Sequence, residues 1–315
     1  MNPTDAIQNE APPLGIDERW TWIDQVERLP PFLVSVVSDQ DHWLFAASNG
    51  GLTAGRGTPD LALFPYQTQD KLVDTAASTG PLTRVRVLRE GQAPLLWRPF
   101  ELGRRDRPRR LARRIDGTQL RFSETLPELG LLLRSTWGFS RRFGFVRRCE
   151  LLNQGPQELR LDLLDGLQNL QPCGVGEAFQ NQYSVLVDAY KRVERLPGTH
   201  LRLVYLSSVP TDRAEPSESL RCTVAWQTGL PGGTHLVRSR QVEAFEDGRP
   251  LQDEDEARGQ RAACLDQATL VLGPGQGHTW YTVADVGLST AEATVLDRYL
   301  REHDAPARAA ELEAE

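Results

Sequence analysis

Glu158-Leu159-Arg160-Leu161-Asp162-Leu163-Leu164 alternates leucines with charged residues. This period of two puts one face of an extended strand in apolar surroundings and the other in water. A helix would scatter these leucines around its surface. The same pattern recurs where Leu220, Cys222, Val224 and Trp226 alternate with Arg221, Thr223 and Ala225, in Arg84-Val85-Arg86-Val87 and in Leu201-Arg202-Leu203. Strands with one wet face belong to antiparallel sheets, because parallel strands buried on both sides are apolar throughout.

Working outward, roughly a dozen segments of this kind run from Phe32 to Gly287, separated by Gly, Pro, Asn or Asp clusters. Asn153-Gln154-Gly155 and Asp116-Gly117 read as hairpin turns that make successive strands neighbours. That many antiparallel strands form two large packed sheets rather than one open sheet. The fold class expected is all-β, as a single domain over residues 16–288.

The ends depart from this pattern. Residues 1–15 are polar and Pro-rich and are expected to be disordered, with a short amphipathic helix at Asp17–Arg28 stopped by Pro30-Pro31. Ser289-Thr290-Ala291-Glu292 matches a capping box, and Val295, Leu296, Tyr299 and Leu300 form a helical stripe, so a linker helix is expected over 289–304. Residues 305–315 are expected to be a flexible tail.

Lys+Arg is 36 and Asp+Glu is 43, a net charge of −7, which gives no general attraction to nucleic acid or anionic membranes. Gly103–Arg114 holds seven arginines and Glu243–Glu256 seven acidic residues, and both runs read as solvated loops. Cys149, Cys173, Cys222 and Cys264 have no CxxC spacing and read as buried thiols. The N-terminus has no basic and apolar regions of a secretory signal, and no segment is long enough to span a membrane. A cytoplasmic setting is the expectation, with no metal and no cofactor.

Three stretches go beyond generic patterning: ASNGGLTAGRGTPDLALFPYQTQDKL at Ala47–Leu72, FGFVRRCELLNQGPQELRLDLLDGLQNL at Phe143–Leu170, and Ser184–Arg221, with VDAYKRVE followed by YLSSVPTDRAEPSESLR. In these the chain resembles the N-terminal β-supersandwich domain of cellobiose phosphorylase-like glycoside phosphorylases, a galactose mutarotase-like fold, over roughly residues 32–300. In that family the sandwich precedes a helical linker and an α/α barrel that supplies the general acid and the phosphate site. With one candidate linker helix after the sandwich, the expectation is that the family's catalytic carboxylate has no position in this sequence. The resemblance implies a carbohydrate-associated domain that frames substrate or mediates assembly, as a shortened member or a separately encoded part. Its partners would be a carbohydrate and either a catalytic α/α-barrel subunit or a second copy in a homodimer.

No residue is singled out as catalytic. Asp165, Asp188, Asp212 and Glu215 lie in the family-like stretches, but Asp165-Gly166 and Asp212-Arg213 read as turn chemistry, and Asp188-Ala189-Tyr190 as strand. A sugar epimerase or lyase on the same fold is an alternative, and it requires a histidine beside a carboxylate. It predicts that His200, His235 and His278 converge, while His42 and His303 stand at a strand start and a helix end. A purely structural interaction domain is the third possibility. There is no GxSxG elbow, and Cys173-Gly174-Val175-Gly176 is not a phosphate loop. For sugar binding the candidates are Trp97 with Arg98 and Gln168 with Asn169, an aromatic face and planar polar groups at strand ends. Against this, Trp97 and Trp137 also suit core packing.

Overall fold

A computed structural model describes residues 14–16, 19–207 and 220–314. Asp212 and Glu215 lie outside the described residues, as do residues 1–13. Among those described, the strands pair antiparallel throughout. The larger layer has eleven strands, in the order β1 (Leu14–Ile16), β2 (Trp20–Asp24), β9 (Arg109–Arg114), β10 (Leu120–Leu126), β11 (Leu131–Ser140), β12 (Gly144–Asn153), β20 (Gly277–Ser289), β16 (Arg221–Thr228), β15 (Arg202–Leu206), β14 (Lys191–Arg195) and β18 (Glu256–Arg258). Opposite it lie a five-stranded sheet and a four-stranded sheet. The first is β17 (His235–Leu236), β19 (Ala262–Leu272), β13 (Leu159–Leu170), β7 (Gly80–Leu88) and β8 (Leu95–Trp97). The second is β3 (Leu33–Val37), β4 (His42–Ala47), β5 (Leu52–Arg56) and β6 (Thr58–Ala62).

The apolar half of each alternating strand fills the space between the layers. Leu161, Leu163 and Val85 meet Leu133, Cys149 and Trp280, and Val36, Leu44 and Leu52 meet Leu111, Trp137 and Phe145. Burying each such leucine is worth about 1.5–3 kcal/mol. The large antiparallel sandwich expected from the alternation is thus present.

Among the described residues, six α-helices lie outside the sandwich: α1 (Gln69–Leu72), α2 (Glu177–Gln182), α3 (Ser184–Tyr190), α4 (Val242–Glu246), α5 (Thr290–Glu302) and α6 (Ala305–Ala314). The capping box holds α5 as expected, with Ser289 and Glu292 satisfying each other's backbone N–H groups. Residues 305–314, expected to be flexible, form α6 instead. Its Leu312 packs with Ala293 and Tyr299 on Val224, Trp226 and Val283, the outer face of β16 and β20. β16 therefore has no wet face: the helices cover Val224 and Trp226, and Thr223 and Ala225 on its other side are buried in the inner core.

Other local expectations give way to tertiary contacts. The helix expected at Asp17–Arg28 is replaced by β2 and a 3-10 turn at Val26–Arg28, because Trp20 and Trp22 alternate to one side of a strand paired with β9. Asp188-Ala189-Tyr190 is the end of α3, not a strand. Asp116-Gly117 does join paired strands, whereas Asn153-Gln154-Gly155 carries the chain from one layer to the other. The arginine run includes strand β9, and its Arg109 is buried. The acidic run folds over the outer face of the five-stranded sheet, where Phe245 joins Leu82, Leu164 and Leu265.

Candidate functional site

Strand β8 pairs with β7 only at Val85–Val87. Beside Gly80–Arg84 the sheet is therefore one strand narrower, and the chain after Trp97 loops across the gap. A cavity of about 270 Å3 opens there, lined by Asn49, Pro81, Thr83, Arg84, Arg98, Phe100, Glu101, Phe122, Ser135, Trp137, Arg147 and Gln168, among others. Its floor is the inner face of β10, β11 and β12. The lining is mostly apolar with a few convergent polar groups, as in small-molecule sites.

From that floor Arg147 reaches across the core into a buried ion pair. Arg147 Nη1 and Nη2 donate to Asp165 Oδ2 and Oδ1 at 2.9 and 3.1 Å. Thr83 Oγ1 donates to the same carboxylate at 2.5 Å and Trp280 Nε1 at 2.7 Å, while Arg147 Nε donates to Ser135 Oγ at 2.9 Å. The side chains are 1% and 0% exposed. Burial disfavours the Arg147 charge, but Asp165 more than offsets this and the pKa is raised. The carboxylate of Asp165 is thus fully engaged inside a strand rather than in a turn. Gly166 follows because a Cβ there would sit 1.8 Å from the Cys264 carbonyl oxygen.

Two glutamates organise the mouth. Glu124, wholly buried, accepts from Trp97 Nε1 at 2.8 Å, from the Phe100 backbone N–H at 2.8 Å and from Arg109 Nε at 2.6 Å. These bonds hold Phe100 at φ 62°, a left-handed conformation. Burial raises the Glu124 pKa in spite of its donors. Glu246 of α4 reaches across from the outer face and accepts from Arg84 Nε at 2.5 Å and from Arg98 Nε and Nη2 at 3.0 and 2.8 Å. Burial favours its neutral form, yet the guanidiniums of Arg98 and Arg84 outweigh burial and hold its pKa below the ordinary glutamate value.

The four sugar-binding candidates separate. Arg98 and Gln168 both line the cavity, and Gln168 Nε2 donates to the Ala77 carbonyl at 3.2 Å. Trp97 is 2% exposed and packs in the core. Asn169 sits at a register shift in β13 with φ 56° and turns to Thr79 Oγ1 at 2.9 Å. Sequence reasoning missed Arg147, Asp165, Glu124 and Glu246. The first two carried a signal: Phe145, Arg147, Cys149 and Leu151 share one face of β12, and Leu161, Leu163, Asp165 and Leu167 one face of β13, so each charge stands on an apolar face.

Of the three histidines required to converge, two do. His200 and His235 stack with ring centroids 3.8 Å apart. Arg195 Nη1 donates to His200 Nδ1 at 2.7 Å, and His235 Nδ1 lies 2.8 Å from Asp266 Oδ1, which also binds the buried Arg202. Burial first, then the neighbouring His235 and arginines, lowers the His200 pKa to about 4. His278 instead bonds the Gly229 carbonyl at 2.7 Å. None of the three is among the described residues lining the cavity, and stacked rings leave no room for a sugar between them. Cys149, Cys222 and Cys264 are buried free thiols with pKa values pushed by burial to about 12, while Cys173 is partly exposed.

No protein-family model and no curated protein matches the chain. Among solved structures it is similar to a protein of Escherichia coli K12 provisionally named aldose 1-epimerase, at 12% identity over 82% of this chain and 100% of that one, with a TM-score of 0.47. It is similar also to a bacterial glucoamylase complexed with acarbose, at 11% identity, 88% of this chain, 36% of that one and a TM-score of 0.48. A galactose mutarotase related enzyme from Lactobacillus acidophilus matches at 9% identity over 83% and 98% of the two chains, with a TM-score of 0.39. The chain thus spans the length of the first and third but about a third of the glucoamylase. The fold stated above stands on this chain's own strand pairing. No described helix is long and apolar enough to cross a membrane.

Proposed function

We propose that this chain is a carbohydrate-associated sandwich domain that holds a small sugar in the cavity at the short edge of β8, without itself catalysing a reaction. The observation that carries the reading is the cavity's lining. Trp137, 1% exposed, has an indole N–H with no acceptor among the described residues, and around it stand the Gln168 amide, the Glu101 carboxylate, and Phe100 and Phe122. Sugars present both hydroxyls, which donate and accept, and apolar C–H faces, and this lining offers partners to both. Glycosidic cleavage needs two carboxylates, or one acid and a bound phosphate, across the scissile bond. Among the described lining residues Glu101 is the one carboxylate, which supports framing over chemistry. In such a role the domain would present its sugar to a catalytic subunit or a second copy.

Calorimetric titration with glucose, cellobiose and related mono- and disaccharides tests this. Gln168→Leu should weaken the best ligand by about 3- to 10-fold, the cost of one neutral hydrogen bond. Absence of heat with every sugar, or an unchanged affinity in Gln168→Leu, contradicts the proposal.

A further inference from the structure

We infer that the cavity selects uncharged sugars over anionic ones, and that Glu246 sets this selectivity by engaging both guanidiniums at its rim. The inference rests on the sugar-binding reading and deepens it. Arginine-lined cavities ordinarily capture phosphate or carboxylate through bidentate hydrogen bonds. Here three guanidiniums line the cavity, those of Arg84, Arg98 and Arg147, and each already has a carboxylate. Arg147 is held by Asp165 on both terminal nitrogens. Arg84 and Arg98 share Glu246, and Arg98 Nη1 also lies 3.6 Å from Glu101.

Three positive groups thus face three negative ones, and two of the carboxylates, Asp165 and Glu246, stand behind the wall rather than in it. An entering anion would have to displace a carboxylate from a guanidinium that the protein has already satisfied. A neutral hydroxyl needs no such exchange and can accept from the N–H groups left over. Glu246 is a positioning residue: it does not line the cavity, it belongs to a helix on the outer face, and it acts through Arg84 and Arg98.

Replacing Glu246→Gln keeps the shape and removes the charge, leaving one positive charge in excess at the rim, where Arg84 and Arg98 then have only Glu101. The full-length chain is titrated with methyl glucoside, glucose 6-phosphate and inorganic phosphate. The wild type should bind methyl glucoside at least roughly tenfold more tightly than glucose 6-phosphate and should not bind phosphate, while Glu246→Gln should gain roughly tenfold or more for both anions. The double variant Glu246→Gln/Arg98→Met should lose that gain. Equal wild-type affinity for the neutral and phosphorylated sugar overturns the inference, as does a folded Glu246→Gln with no gain. If Glu246→Gln does not fold, the wild-type preference decides alone. A phosphate gain in Glu246→Gln without sugar binding by either protein overturns the sugar reading but keeps the charge-setting role of Glu246.

Discussion

Asp165 and Asp266 stand directly opposite each other on β13 and β19, and each takes an arginine from the larger layer, Arg147 of β12 and Arg202 of β15. The two bridges across the core share one plan and differ in what completes them. Around Asp165 the further donors are Thr83 and Trp280, with Ser135 on Arg147. Around Asp266 the further partner is His235, stacked on His200. One bridge is closed by groups that keep their protonation across ordinary pH and underlies a cavity. The other is completed by a histidine stacked on His200, whose own pKa is lowered to about 4 by burial and its cationic neighbours. A rigid floor suits a site that must keep its shape.

The largest expected effect breaks the first bridge. Asp165→Asn leaves Arg147 charged and uncompensated in the core, and should cost about 3–5 kcal/mol in a urea melt. Asp266→Asn should cost less, because Arg202 keeps the carbonyls of His200 and Leu265 as acceptors, whereas Arg147 keeps the hydroxyls of Ser135 and Thr83 and a long 3.5 Å contact to the Gly166 carbonyl. A larger loss at Asp266 than at Asp165 would contradict the difference between the two bridges.

A smaller effect is the response to acid. His200, with its pKa lowered to about 4, refuses a proton that the unfolded chain accepts below about 6.5. Its contribution to stability is therefore complete above that value and lost as the pH falls from about 6.5 to 4. His42, also lowered to about 4 chiefly by burial, acts in the same window. Asp266, held down to about 2 by Arg202 and His235 against burial, adds a loss between its ordinary value near 3.8 and 2. His200→Asn, which suits the left-handed backbone at that position (φ 56°), should flatten but not abolish the slope of stability between pH 6.5 and 4. An unchanged slope would show that the stacked pair does not govern it.

Much of the sandwich was legible because half-buried strands write their burial into a period of two, as Glu158–Leu164 does. The same rule misled where the second face is also covered. Thr223 and Ala225 look like a solvent face, yet they are the side of β16 turned to the inner core, while α5 and α6 cover Val224 and Trp226 on the other side, and Arg202 in Leu201-Arg202-Leu203 points inward to Asp266. Arg98 and Gln168, chosen as polar groups at strand ends, both border the cavity although Gln168 is buried, yet Trp97 turns inward to Glu124. That pairing spans 27 residues, and the Glu246 contacts span 148 and 162. No local pattern announces a partner at such a distance.

The most direct test of a sugar held over the Arg147–Asp165 floor is the set of seven tryptophan indole N–H resonances in a 15N-labelled sample titrated with methyl glucoside. The account predicts that the Trp137 signal shifts as its unpartnered N–H gains an acceptor, while Trp97 and Trp280, bonded to Glu124 and Asp165, stay in place. A saturating sugar that leaves Trp137 unmoved, or that shifts only Trp20 and Trp22 on the open face of the larger sheet, would contradict it.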